Sequence, residues 1–270
     1  MIVVSKYCVG ERVHQPDKTG KQPVIGASYM AVTANPLATQ AGCEVLRDGG
    51  TAVDAAVAVQ MVLGLVEPQS SGVGGGAFML HYKASNKTVQ SYDGRETAPA
   101  AATEDYLRYV SATDKTNPLP NLGTSFLSTK ASGRSIGTPG AVRMLALAHA
   151  DHGKLAWADL FQPGIDLATN GFKISGRMAK AIAGARTNFA RDAEASAAYL
   201  KADGTPRLLG ETFSMADVIF GGTVRYMLRF KMLESRPAFE DYVSRLNTRP
   251  ASIAAEAKNA AVAKEHNLGG

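Results

Sequence analysis

The sequence predicts a mixed α+β chain that ends in an all-helical tail, on three observations. Two helical runs precede a glycine-rich loop, Glu67-Pro68-Gln69-Ser70-Ser71-Gly72-Val73-Gly74-Gly75-Gly76. Two short runs of strand character follow it, and beyond Gly210 apolar residues recur at helical spacing. With 270 residues, 45% of them hydrophobic and 20% charged, the chain can build one large core or two smaller ones and is too apolar to remain disordered.

Composition excludes several classes of partner. The net charge of +5 comes from 29 basic and 24 acidic residues that never form a run of five like charges, which describes a solvated surface and not a nucleic-acid footprint. No stretch approaches the ~18 consecutive apolar residues of a membrane-spanning helix. Cys8 and Cys43 show neither metal-ligand nor redox spacing, so Cys43 is expected as a small buried residue, with no disulfide framework and no metal. Met1 to Val4 is too short for a secretory apolar region and His14 to Gln22 lacks a cleavage pattern, so as written the chain is expected to be cytoplasmic. Phosphate is also excluded. A P-loop needs lysine and a hydroxyl residue at fixed offsets, and here Ala77 and Phe78 follow the glycines. No cofactor is expected.

Taken in order, residues 1–23 form a polar leader, expected to be poorly ordered. Small and apolar residues predominate from Val24 to Thr33. Asn35-Pro36 then opens a helix, with asparagine as the cap and proline at the first helical position. Leu37, Ala41, Val45 and Leu46 mark its buried face, and Gly49-Gly50 stop it. Thr51 and Asp54 form a capping box for a second helix that runs to Leu65 before Glu67-Pro68 ends it. This helix has almost no polar face, so burial on most sides, beneath a sheet, is expected. Consecutive glycines beyond it let main chain or ligand approach closely, which makes the loop a packing device or a binding wall.

Phe78 to Lys83 and Val89 to Asp93 read as a β-hairpin about Ala84-Ser85-Asn86-Lys87. Its second strand delivers Asp93-Gly94-Arg95-Glu96-Thr97-Ala98-Pro99. Arg95 there is either half of a surface pair with Glu96 or Asp93, or a planar fork that grips a carboxylate; on spacing alone the surface pair is the plainer reading. His149 and His152 stand near a helix end stopped by Gly153. They suit either the helix dipole or a metal, and no third ligand is close in sequence. Trp157, Leu160 and Phe161 read as core. Ser70 and Ser71 have no histidine or acid that spacing can assign to them.

The segments VTANPLATQAG, GGTAVDAAVAVQMVLGLVEPQSSGVGGGAFMLHY, YDGRETAPAAA, GTPGAV and GKLAWADLFQPGIDLATNGFKIS together resemble the γ-glutamyltransferase (glutathione hydrolase) family, specifically its larger, N-terminal subunit, over about 24–209. The resemblance implies an N-terminal-nucleophile hydrolase fold, an αββα sandwich of which this chain holds part. In such an enzyme a threonine freed by cleavage attacks the γ-glutamyl amide of glutathione or a related compound, its own α-amine acting as base. The resemblance also gives Arg95 the role of gripping the α-carboxylate of the glutamyl group. Half a sandwich would leave an apolar sheet face and unpaired strand edges.

The chain departs from the family pattern at the chemistry. The nucleophile of the family lies in a Thr-Thr-His type sequence, and these 270 residues contain neither Thr-Thr nor Thr-His. No catalytic residue is therefore assigned, and the chain is expected to be inactive unless a small catalytic subunit joins it in trans. From Gly210 to Gly270 the sequence looks like the C-terminal end of a bacterial glutathione S-transferase, with Phe213 to Phe220 opening a core helix and Ser214 and Asp217 as a structural capping pair. The thioredoxin-like half of such a transferase has no counterpart. Three readings follow: a γ-glutamyl-transfer protein that needs complementation, a non-catalytic truncated or chimeric chain, and a helical interaction module.

Overall fold

The computed structural model describes residues 3–5, 28–111, 113–120, 129, 133–191, 193–200, 228 and 235–248, with 253, 256, 257 and 260 beyond them. Most of the leader, residues 201–227 where the first resemblance gives way to the second, and with them the Ser214–Asp217 pair, lie outside the described residues. In chain order the elements are β1 (Val3–Ser5), β2 (Met30–Val32), α1 (Pro36–Arg47), α2 (Ala52–Val66), β3 (Ala77–Lys83), β4 (Thr88–Gly94), α3 (Ala141–His152), α4 (Gln162–Asn170), α5 (Gly176–Phe189) and α6 (Ala193–Tyr199). A 3-10 turn at Trp157–Phe161 precedes α4, and a further helix spans Pro237–Asn247. The chain divides into two compact units, residues 73–153 and the remainder.

In the larger unit the expected helix signals operate. Asn35 Oδ1 accepts from Leu37 N at 3.0 Å, with Pro36 at the first helical position of α1. Gly49 takes φ +86°, a left-handed conformation that glycine enters without a Cβ penalty. Thr51 and Asp54 form the reciprocal capping box: Thr51 N donates to Asp54 Oδ2 at 2.7 Å and Asp54 N to Thr51 Oγ1 at 3.2 Å. Every α2 residue except Ala52 and Gln60 is buried. Its cover differs from expectation. Among the described residues α2 packs on α1, the 3-10 turn, α4 and β1, so the cover described there is mainly helical. Leu160 and Phe161 are fully buried in that layer, as expected, and Trp157 meets Phe161 edge-on at 5.4 Å.

Three further points refine the reading of this unit. Val3–Ser5 pairs antiparallel with Met30–Val32, so this part of the leader forms a strand, its backbone completing the ladder of an otherwise single strand. Cys43 is buried as expected, yet it is disulfide-bonded, which corrects the expectation of no disulfide. The helix Pro237–Asn247 buries Phe239 and Val243, and Arg236 just before it pairs with Asp159 at 2.5 Å. A smaller cluster of Ile174, Met178, Ile182, Tyr199 and Leu200 closes α5 on α6, with Phe189 stacked on Tyr199 at 4.3 Å.

The smaller unit is a hairpin with one helix on it. β3 and β4 pair in register from Ala77↔Gly94 to Lys83↔Thr88 about a four-residue turn, and Lys87 takes φ 55°. Alternation assigns the two faces. Tyr92 faces α3, which contributes buried Met144, Leu145 and Ala148. Phe78, Leu80 and Tyr82 lie on the other face with Val89, and these four are 59–74% exposed.

The approach of α1 to α2 is set by a missing side chain. A Cβ on Gly42 would lie 2.7 Å from Val59 Cγ2 and 3.3 Å from Ala31 Cβ. Alanine ordinarily gains about 1 kcal/mol over glycine inside a helix. Here overpacking is expected to reverse the sign: Gly42→Ala should lose about 1–3 kcal/mol, read as a lower urea midpoint at unchanged slope, and a higher midpoint would refute this account.

Candidate functional site

Arg95 follows the last residue of β4, and its backbone N–H donates to Asp93 Oδ1 at 2.8 Å, which fixes the chain as the strand ends. Two glycine loops then close on residues 94–97. The Gly75 carbonyl accepts from Gly140 N at 3.2 Å and Ala141 N at 3.1 Å, supplying the N-terminus of α3 with the acceptor that no side chain provides there. Thr97 and Thr138 exchange both backbone hydrogen bonds, at 3.3 and 2.8 Å.

The spacing is possible only without side chains at four positions, Gly76, Gly94, Gly137 and Gly140. A Cβ on Gly76 would lie 2.7 Å from Glu96 N, and on Gly137 2.8 Å from Glu96 Cβ. On Gly140 it would sit 2.5 Å from the Gly94 carbonyl and on Gly94 2.6 Å from Met144 Cβ, whereas on Gly75 it would make an ordinary contact, 3.4 Å from Glu96 Oε1. Of the two roles open to the loop, close packing is thus realised at Gly76.

Glu96 is the residue that sequence reasoning passed over as a mere neighbour of Arg95. Its Oε2 is shielded from solvent, with Arg95 Nη1 at 3.3 Å and no partner of good hydrogen-bond geometry among the described residues. The N–H groups of Glu96 and Gly76, together with the Arg95 charge, hold its carboxyl below the ordinary range against the opposing effect of desolvation. The Arg95 side chain is 68% exposed. An ion pair so open to water contributes little, so the surface-pair reading is met geometrically while the outer part of the guanidinium faces solvent.

The larger unit holds a second polar centre, at the end of α2. Glu67 is 2% exposed; its Oε1 accepts from Asn35 Nδ2 at 3.2 Å, and its Oε2 accepts from Gln69 Nε2 at 2.6 Å and Arg177 Nη1 at 2.8 Å. Sequence gave Glu67 only as a helix stop. The available signal was a carboxylate closing a wholly apolar helix, which requires a partner. Asp54 is likewise fully buried and accepts from the backbone N–H groups of Lys154 and Leu155 at 3.1–3.5 Å, which makes the capping acid a structural link across 100 residues.

The remaining candidates take structural places. His149 and His152 occupy the last turn of α3 beside Gly153, and the described residues contain no group of three or more acidic, histidine or cysteine side chains suited to a metal. Ser71 Oγ accepts from Gln60 Nε2 at 2.9 Å, and Ser70 Oγ lies 3.5 Å from the Glu67 carbonyl. Gly76→Ala is expected to open the clasp locally, so amide exchange at residues 95–97 and 138–141 should accelerate while the amides of α2 keep their protection. Unchanged exchange at 95–97 would show that the glycine is dispensable.

A family model described as Gamma-glutamyltranspeptidase matches residues 38–218. Among curated relatives, scoloptoxin SSD14 of Scolopendra dehaani is 37% identical over 211 residues, 78% of this chain and 32% of its own. The glutathione hydrolase proenzyme of Bacillus subtilis (strain 168) is 36% identical over 198 residues, 73% of this chain and 32% of its own. The crystal structure of Helicobacter pylori gamma-glutamyltranspeptidase superposes with a TM-score of 0.64 at 29% identity, covering 82% of this chain and 60% of that one. The chain spans about a third of the length of these curated relatives. With a match over two thirds of its residues and a shared fold, the chain belongs to the gamma-glutamyltranspeptidase family.

Proposed function

We propose that this chain supplies the glutamyl-binding wall of a γ-glutamyltransferase or glutathione hydrolase and works with a separate polypeptide that carries the nucleophile. The observation that carries the reading is Arg95: it leaves β4 with its backbone fixed by Asp93, beside a Glu96 seated on the glycine loop, and its guanidinium is largely exposed. A guanidinium fork held in this way matches a carboxylate through two parallel hydrogen bonds, which fits the α-carboxylate of glutathione or another γ-glutamyl compound. Glu96 would orient the fork and take no part in the bond-breaking step.

The reaction class follows from the family and from what this sequence contains. Acyl transfer from a γ-glutamyl amide requires a nucleophile with a base beside it, and no Thr-Thr or Thr-His pair is present in these 270 residues. A small subunit in trans would provide the threonine, its liberated amine and the oxyanion donors. The exposed apolar face of Phe78, Leu80, Tyr82 and Val89 supports this arrangement, because a facing sheet in an αββα sandwich would cover it.

Two measurements test the proposal. Titration of glutamate against wild type and Arg95→Ala should show the variant binding about tenfold or more weakly, as loss of a charge-assisted hydrogen bond implies; equal affinities would remove Arg95 from the site. Incubation with a chromogenic γ-glutamyl amide should release no product from this chain by itself. Product should appear when the threonine-bearing part of a family relative is added. Release by the 270-residue chain unaided would overturn the need for a partner.

A further inference from the structure

We propose that His81 and His152 form a proton-operated latch that fastens the inner face of the β3–β4 hairpin to the C-terminal end of α3. The two rings are stacked, with centroids 3.9 Å apart and planes inclined by 21°. Two neutral imidazoles can share this contact. Two imidazolium rings cannot do so without placing like charges face to face.

The surroundings reinforce the preference for the neutral pair. On β3, Lys83 adds a positive charge one inward position beyond His81. On β4, Gln90 Oε1 lies 2.9 Å from His152 Nε2, and Tyr92 meets the His152 ring edge-on at 6.1 Å. On α3, Asp151 is the neighbouring acid, but its Oδ2 already accepts from Tyr92 Oη at 2.8 Å and Gln90 Nε2 at 3.3 Å, and His149 stands one turn before His152. His81 Nδ1 is shielded and has no hydrogen-bond partner among the described residues, so a proton placed there would find no acceptor. Desolvation, then His152 and Lys83, hold the His81 ring below its ordinary value of 6.5.

The direction of the pH effect follows. A histidine that protonates less readily when docked than when free favours docking at higher pH, and that contribution is lost as pH falls below about 6.5. Tyr92, pushed up to about 12 by burial and by its Asp151 partner, stays protonated throughout this range and keeps its bond to Asp151. His81 is therefore the moving part.

The test is hydrogen exchange of the full chain at pH 8 and pH 5, corrected for the intrinsic pH dependence of the amides, on wild type, His81→Phe and His152→Gln. In wild type the protection of residues 79–83 and 90–92 should fall several-fold at the lower pH, while α2 keeps its protection. His81→Phe should show the same hairpin protection at both values, and His152→Gln a smaller loss in acid than wild type. If His81→Phe fails to fold, His152→Gln alone decides. Wild-type protection that does not change with pH, or a folded variant that loses protection in acid as wild type does, would overturn the latch.

Discussion

Space, more than any attractive contact, is the constraint on which the candidate site depends. Two loops can close over residues 94–97 only because Gly76, Gly94, Gly137 and Gly140 present bare backbone to their neighbours. Once they close, backbone groups of Gly75, Thr97 and Thr138 bond across the gap, and the N-terminus of α3 is satisfied by main chain. Arg95 inherits its place from this closure. On the proposed function, its guanidinium serves as a clamp because its base is fixed, and the fixing is done by neighbours that contribute no chemistry of their own.

In the larger unit the organising problem is charge. α2 is apolar along nearly its whole length but begins near Asp54 and ends at Glu67, both buried. Each carboxylate is met by partners far away in sequence, Asp54 by the backbone at Lys154 and Leu155 and Glu67 by Asn35 and Arg177, with Gln69 adding a local donor to Glu67. Removing one partner of such a carboxylate costs more than the single hydrogen bond, because the remaining charge stays out of water. The two acids thus fix both ends of the most buried helix and specify which distant segments pack on it.

The hairpin carries opposite demands on its two faces. Its inner face is settled by α3, through Tyr92, Met144 and the histidine stack. Its outer face leaves Phe78, Leu80, Tyr82 and Val89 in water, an arrangement that a chain of this family tolerates best when further sheet is at hand.

Local rules were legible in the sequence because they act over a few residues. The Asn35-Pro36 start, the Thr51–Asp54 box, the stop at Gly49 and the hairpin register about residues 84–87 each follow from side-chain chemistry within one turn. The ordered series of motifs also named the family and singled out Arg95. The sequence could not show that helices cover α2, that Val3–Ser5 completes a sheet, that Cys43 is disulfide-bonded, or that Glu67 meets Arg177. Nor could it show that the glycines of two separate loops serve one residue, Glu96. Those facts belong to tertiary structure, because each depends on which distant segments meet, and a run of glycines announces only that something must come close.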